Sequence, residues 1–483
     1  MSSHERVPNE LWLEIFQFLP RDYLKDVYST DRKFSTASRA LVFSHLVFYP
    51  YHLDEPLEYL ALPGNDGVQL SLERLRFWSS DQIAPFVREC TIAPRRQRPG
   101  EAEPVRLNFT DSPNILMTSF MDALANFTGL KKLSGRRVKF TQAGLAHLCR
   151  IPLLKEIVID RCGIVPDEIV DTASLELRTT KLVYRSAVVA NEDRNLWLTI
   201  VHRGHLRQLE ATGSASAVSN TLADGATFPN VDKLRLVMNF STMTQNLVVL
   251  SKFPAVCALQ LGGWGQIKYE PSEQPAIRAA DVLPLLREYH GPCTPLHLFL
   301  PKPTLIRLVI DGCGPEELTF QLRGEYGHIT TLHTTVHDLD RNTLSTICRC
   351  LPALIELHVT VLAEIEDGEY EDGINPRATD FFSTFADTPD LPSTLQRLSI
   401  SWEFEFESED AEDAPVASTE NIPDFLAMRD KLRERCPALG TLWLDGHDFM
   451  FRWRQLLDRE EESYEDVEDE DLREGFEDFW EGR

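Results

Sequence analysis

Apolar residues follow two patterns along the chain. From Val7 to Phe48 they recur at helical spacing. Pro8 sits where its locked φ suits a first helical turn. Leu11, Ile15 and Leu19 follow at four-residue steps with Trp12 and Phe16 beside them, which predicts an amphipathic helix that Pro20 stops. Asp22 is the expected N-cap of a second helix carrying Leu24, Val27 and Tyr28, and Asp31 that of a third carrying Phe34, Ala37 and Leu41. Three short helices cannot bury all of this surface among themselves, so part of it should meet a partner or the rest of the chain.

Beyond residue 50 the pattern changes to apolar-x-x-apolar-x-apolar, returning many times. Clear copies start at Leu154, Val231, Val256, Leu305, Leu354, Leu395 and Leu439, weaker ones at Val87, Leu130, Thr179, Leu206, Leu286 and Ile329. From 130 to 256, and again from 305 to 354, the starts are 24–27 residues apart. Each unit predicts a short strand whose second and third apolar residues face a core. One unit cannot bury that face alone, so the units must stack. Helical patterns fall between the strands at Met117 to Phe127, Thr141 to Arg150, Asp281 to Tyr289, Asn342 to Cys350 and Phe425 to Arg435.

Side chains alternate along a strand, so residues flanking the second apolar position face the open side. Arg235, Arg307, His333, His358, Arg397 and Trp443 fall there and are the candidate target-binding residues. Trp443 is an aromatic anchor candidate, unless a tail or capping element covers it. The arginines can pair bidentately with an acidic or phosphorylated motif, or with neighbouring carboxylates of their own sheet.

The net charge of −26 is concentrated. Glu364 to Asp372 holds 6 acidic and no basic residues, Glu403 to Asp413 holds 7 and none, and Gln455 to Arg483 holds 14 against 3. The remainder is nearly neutral. The first two runs fall in the longest steps between repeats and read as solvated insertions near 363–376 and 403–418. Residues 456–483 read as a disordered acidic tail. Its interleaved Tyr464, Leu472, Phe476, Phe479 and Trp480 allow a second reading, in which the tail folds back on basic residues of the body and competes with a target. The acidic balance argues against nucleic acid as a partner. No apolar run approaches the ~20 residues that span a bilayer. With no signal-peptide pattern, the nine scattered cysteines are expected to be reduced thiols in the cytoplasm or nucleus.

The N-terminal residues resemble an F-box, the helical module that clips a protein to the Skp adaptor of a cullin-based ubiquitin ligase. The match lies on Val7, Pro8, Glu10, Leu11, Ile15, Phe16, Leu19, Pro20, Asp22 and Leu24, with Val7 in place of the usual Leu and Tyr23 inserted before Leu24. The later units resemble leucine-rich repeats, with Cys162, Asn239 and Cys313 in the Asn/Cys slot, irregular as in fungal proteins that join the two modules. The resemblance implies an α/β fold: a right-handed, leucine-rich-repeat-like β/α solenoid (a horseshoe) over 51–455, preceded by a small all-α F-box at 1–50. It implies adaptor contacts at Pro8, Leu11, Trp12, Ile15, Phe16, Leu19 and Leu24, with the Skp adaptor, a cullin scaffold and a protein substrate as partners. The function implied is a substrate-recognition subunit of an SCF-type ligase; the alternative is a non-catalytic scaffold whose F-box does not lead to ubiquitination. No enzyme activity, cofactor or metal is expected. Gly262-Gly263-Trp264-Gly265 lacks the Lys-Ser/Thr of a phosphate loop, no Gly-x-Ser-x-Gly elbow occurs, and His and Cys show no zinc spacing.

Overall fold

The computed structural model of the protein describes residues 9–54, 59–96, 105–106, 115–164, 171–185, 195–213, 215–225, 227–237, 243–262, 278, 281–363, 376–387, 390–404, 424–446, 449–455, 460–466 and 476–481. The protein is mixed α/β, built on mostly parallel sheet, and divides into two compact units, Met1–Val237 and Met238–Arg483.

The first unit begins with three helices, Asn9–Gln17, Arg21–Thr30 and Arg32–Val42. Phe16, Leu24 and Ala37 form their core, with Trp12, Leu19, Val27, Phe34, Leu41 and Val42 packed around it. Asp31 caps the third helix, its carboxylate accepting from the Lys33 amide at 2.6 Å. Asp22 does not cap the second. That helix starts two residues earlier, at Arg21 after Pro20, and Asp22 sits in its first turn, where it pairs with Lys25 at 2.8 Å. Strand His45–Phe48 follows at once, so the stretch expected to be wholly helical already contains the first strand of the sheet. It is joined in parallel by Glu89–Ile92, Lys132–Arg136, Glu156–Asp160, Lys181–Arg185, Gln208–Ala211 and Lys233–Val237. A separate four-stranded sheet of Arg95–Arg96, His52–Asp54, Tyr59–Leu62 and Val105–Arg106 has no counterpart in the sequence pattern.

In the second unit Ala258–Gly262, Glu288–Pro292, Arg307–Cys313, Thr331–Val336, Glu356–Ala363, Arg397–Phe404 and Thr441–Asp445 run parallel. Two antiparallel strands, Phe449–Gln455 and Glu460–Asp466, finish the sheet. Phe449, Met450, Phe451 and Trp453 are buried, so this hairpin closes the apolar end of the core and covers the edge that a parallel stack leaves exposed.

Every repeat start read from the sequence, from Val87 to Leu439, lies two residues before one of these strands. The register explains why. Leu133, Ile157, Leu182, Leu209 and Leu234 align across the first unit, and Tyr289, Leu308, Leu332, Leu357, Leu398 and Leu442 across the second, all buried. Gly291, at φ +153°, occupies an inward position that carries Ile310 on the adjoining strand, and a Cβ there would lie 2.5 Å from the Leu261 carbonyl oxygen. Cys162 sits just past its strand, where its sulfur accepts from the Val138 amide at 3.4 Å and its thiol donates to the Asp160 carbonyl. Asn239 lies outside the described residues.

Helices fill the expected intervals at Ile115–Ala123, Gln142–Cys149, Arg341–Cys350 and Phe425–Arg435. The expected helix over Asp281 to Tyr289 is absent. Leu283 has φ +52° and strand Glu288–Pro292 begins where the helix would continue. Pro284 accounts for this, because a proline disfavours helical backbone at the residue before it. The acidic tail, expected to be disordered, contributes strand Glu460–Asp466 and helix Phe476–Glu481. Of the acidic insertions read near 363–376 and 403–418, residues 364–375 and 405–418 lie outside the described residues, while Ala363, Pro376, Glu403 and Phe404 belong to the flanking strands and helix. Among the described residues no helix is long and apolar enough to cross a membrane.

Candidate functional site

The first helix divides the predicted adaptor residues by direction. Trp12 and Phe16 turn inward, their rings 5.6 Å apart and each against Phe34, at 4.8 and 5.7 Å. Leu19 and Leu24 also belong to the bundle interior. Of these four, Phe16 and Leu24 are buried in the bundle, and Trp12 and Leu19 are half-buried against it. Leu11 and Ile15 point outward, each 48% exposed, and Phe18 joins them at 88%. The reading from sequence missed Phe18. It lies seven residues after Leu11, in the turn just past the helix end at Gln17, where four-residue counting led to Leu19 instead. Pro8 lies outside the described residues.

On the strands of the first unit the outward positions form ion pairs between neighbouring repeats. Glu156 accepts from Lys181 at 3.0 Å and Lys132 at 3.4 Å, Arg136 meets Asp160 at 3.3 Å, and Glu210 holds Arg185 at 2.9 Å and Arg235 at 3.6 Å. Partial burial pushes the Glu156 carboxyl up, but the two lysines outweigh it and hold it below the usual range. Arg235 therefore serves its own sheet.

In the second unit the corresponding positions gather around Glu356, which is 7% exposed. Register places His333 and His358 side by side, then Ser399 and Trp443. His333 Nε2 lies 2.5 Å from one Glu356 oxygen and Arg397 Nη2 2.8 Å from the other. Burial pushes the Glu356 carboxyl up, while the His333 hydrogen bond and the Arg397 charge together carry it below the usual carboxylate range. His358 is lowered to about 4, first by burial and then by His333, so it is neutral at pH 7.

The helix Phe476–Glu481 lies over this cluster. The Trp480 indole N–H donates to Glu356 Oε1 at 3.4 Å, and Arg397 Nη1 donates to the Trp480 carbonyl at 3.3 Å. Phe476 packs 5.0 Å from both the Trp443 and His358 rings, Phe479 lies 5.3 Å from Trp443, and the Arg454 guanidinium sits 4.6 Å over Phe479. Trp443 is consequently 1% exposed. The structure thus brings His333, His358, Arg397 and Trp443 together, but as a covered site and not an open anchor. Arg307 is exposed one strand away from His333.

The arrangement combines aromatic faces, two guanidinium groups and one desolvated carboxylate. Elsewhere, an open recess of about 510 Å³ is lined by Cys149, Glu176 and Arg178 among others. Burial pushes the Cys149 thiol up, away from the thiolate a nucleophile needs. Among the described residues no group of three or more His, Cys, Asp or Glu is placed to hold a metal ion. The sequence matches no protein-family model and no curated protein.

Proposed function

We propose that the chain is the substrate-recognition subunit of an SCF-type ubiquitin ligase. Its N-terminal helices act as an F-box on the Skp adaptor, and its leucine-rich-repeat-like solenoid receives a protein target. The ubiquitin chemistry belongs to the partners. The observation that carries this reading is the exposed apolar set of Leu11 and Ile15 on a helix whose other face already has its core, joined by Phe18 in the turn just after that helix. Solvent contact at three large apolar side chains is unfavourable by about 25 cal/mol per Å², so such a face gains most by docking on a protein. The resemblance of the surrounding residues to an F-box selects the adaptor as that protein. The in-register repeats supply the body that a receptor needs, and the concentrated acidic charge favours a protein target over nucleic acid.

The test is a pull-down with purified Skp adaptor and cullin, comparing wild type with Leu11→Asp/Ile15→Asp. Both positions are exposed, so the variant should fold, and it should lose the adaptor. Retention of the adaptor by that variant, or no capture by a folded wild type, would contradict the proposal. Adaptor capture without ubiquitin transfer to any bound protein would leave a scaffold in place of a receptor.

A further inference from the structure

We infer that the sheet face around Trp443, His358 and Arg397 is a docking site for short acidic peptides carrying paired aromatic residues, and that Phe476–Glu481 is its resident occupant, displaced when a partner peptide arrives. The inference rests on the solenoid being the target-binding body, and it is independent of the adaptor.

Three observations identify the occupant's chemistry. The segment seated on the face is Phe-Glu-Asp-Phe-Trp-Glu, aromatic and acidic with no basic residue. Its aromatic rings are held by aromatic and cationic partners: Trp443 and His358 for Phe476, Trp443 and Arg454 for Phe479, Arg397 for Trp480. The two polar contacts described for it are generic to a tryptophan in a peptide, an indole N–H to a carboxylate and a main-chain carbonyl to a guanidinium. Any segment with the same side chains would make them.

The resident segment is also weakly built in. It is a six-residue helix, shorter than an isolated helix needs to persist in water. The core beneath it is completed without it by the Phe449–Gln455 strand, where Trp453 is fully buried. A segment tethered to the same chain holds the site by local concentration, so a partner of matching chemistry and higher intrinsic affinity replaces it without unfolding the body.

The probe is a fluorescent synthetic peptide with the sequence of residues 474–483, titrated by anisotropy into two full-length proteins, wild type and Phe476→Ala/Phe479→Ala/Trp480→Ala. With the face vacated, the variant should bind the peptide roughly tenfold more tightly than wild type, whose own segment competes. A peptide with the three aromatics changed to alanine should not bind, and adding Arg397→Gln to the variant should abolish capture. A second readout avoids the variant. In wild type, excess peptide should speed hydrogen exchange at the amides of Phe476–Glu481. Equal binding by both proteins, capture of the alanine peptide, or unchanged exchange at saturating peptide would each overturn the proposal. So would a wild-type dimer that dissociates in the triple variant, because it would assign the face to a second copy of the chain. Loss of adaptor binding in the pull-down leaves all these outcomes unaffected.

Discussion

In the first unit the outward strand positions hold Lys132, Glu156, Lys181, Arg185, Glu210 and Arg235. In the second they hold His333, Glu356, His358, Arg397 and Trp443. The repeat position is the same, but what covers it differs. The carboxylates of the first set are 19–24% exposed and their cationic partners 37–54%. Water screens such pairs to a few tenths of a kcal/mol each. In the second set the Glu356 side chain is 9% exposed beneath Trp480, with His333 at 21% and Arg397 at 40%, so there it is the carboxylate that is desolvated and depends on its partners. Charge along a repeat face is therefore a solubilising ladder where it stays wet, and a latch where an aromatic segment closes over it.

Breaking the latch should give the largest effect. Glu356→Gln leaves Arg397 without its counter-charge and takes the carboxylate partner from His333 and the Trp480 indole, and should cost about 3 kcal/mol in chemical denaturation. The matched change in the open ladder, Glu156→Gln, should cost under about 1 kcal/mol. Similar losses at the two positions would erase the contrast.

Acid should separate the two faces next. His358 has its pKa lowered from 6.5 to about 4 in the folded protein, so between those values the unfolded chain binds the extra proton. Stability contributed by a neutral His358 is thus complete above pH 6.5 and is lost as pH falls toward 4. The loss should approach roughly 3 kcal/mol. His358→Phe should flatten this part of the stability–pH curve, and an unchanged slope in thermal melts from pH 7 to 5 would remove His358 from the account. The smallest effect should be at Glu210→Gln, under about 1 kcal/mol and diminishing in high salt, where exposed pairs are screened.

The repeats were legible because their apolar period is imposed by the core. A strand needs Ile157 and Ile159 inward whatever surrounds it, and each predicted start lies two residues before its strand. Arg235 and Arg397 were correctly placed on the outward row, and their pairing with neighbouring carboxylates was one of the two readings left open. What covers that row was not legible. Whether Trp443 anchors a target or packs under Phe476 depends on a contact between distant positions, and local period carries no information about such contacts. The same holds for the Phe449–Gln455 hairpin, whose residues simply read as the end of the body. In the first helix, period showed an apolar face but not which side of it was the bundle interior, so Phe16 was assigned to a partner and Phe18 was overlooked.

Hydrogen exchange on the full-length wild-type chain tests the covered-face account most directly. The amides of Phe476–Glu481 should exchange at least several-fold more slowly than in a free peptide of the same sequence, and Glu356→Gln should remove that protection while leaving Lys132–Arg136 and Glu156–Asp160 as protected as before. Exchange of Phe476–Glu481 at the free-peptide rate in wild type would mean that no latch exists, and that the Trp443 face is open.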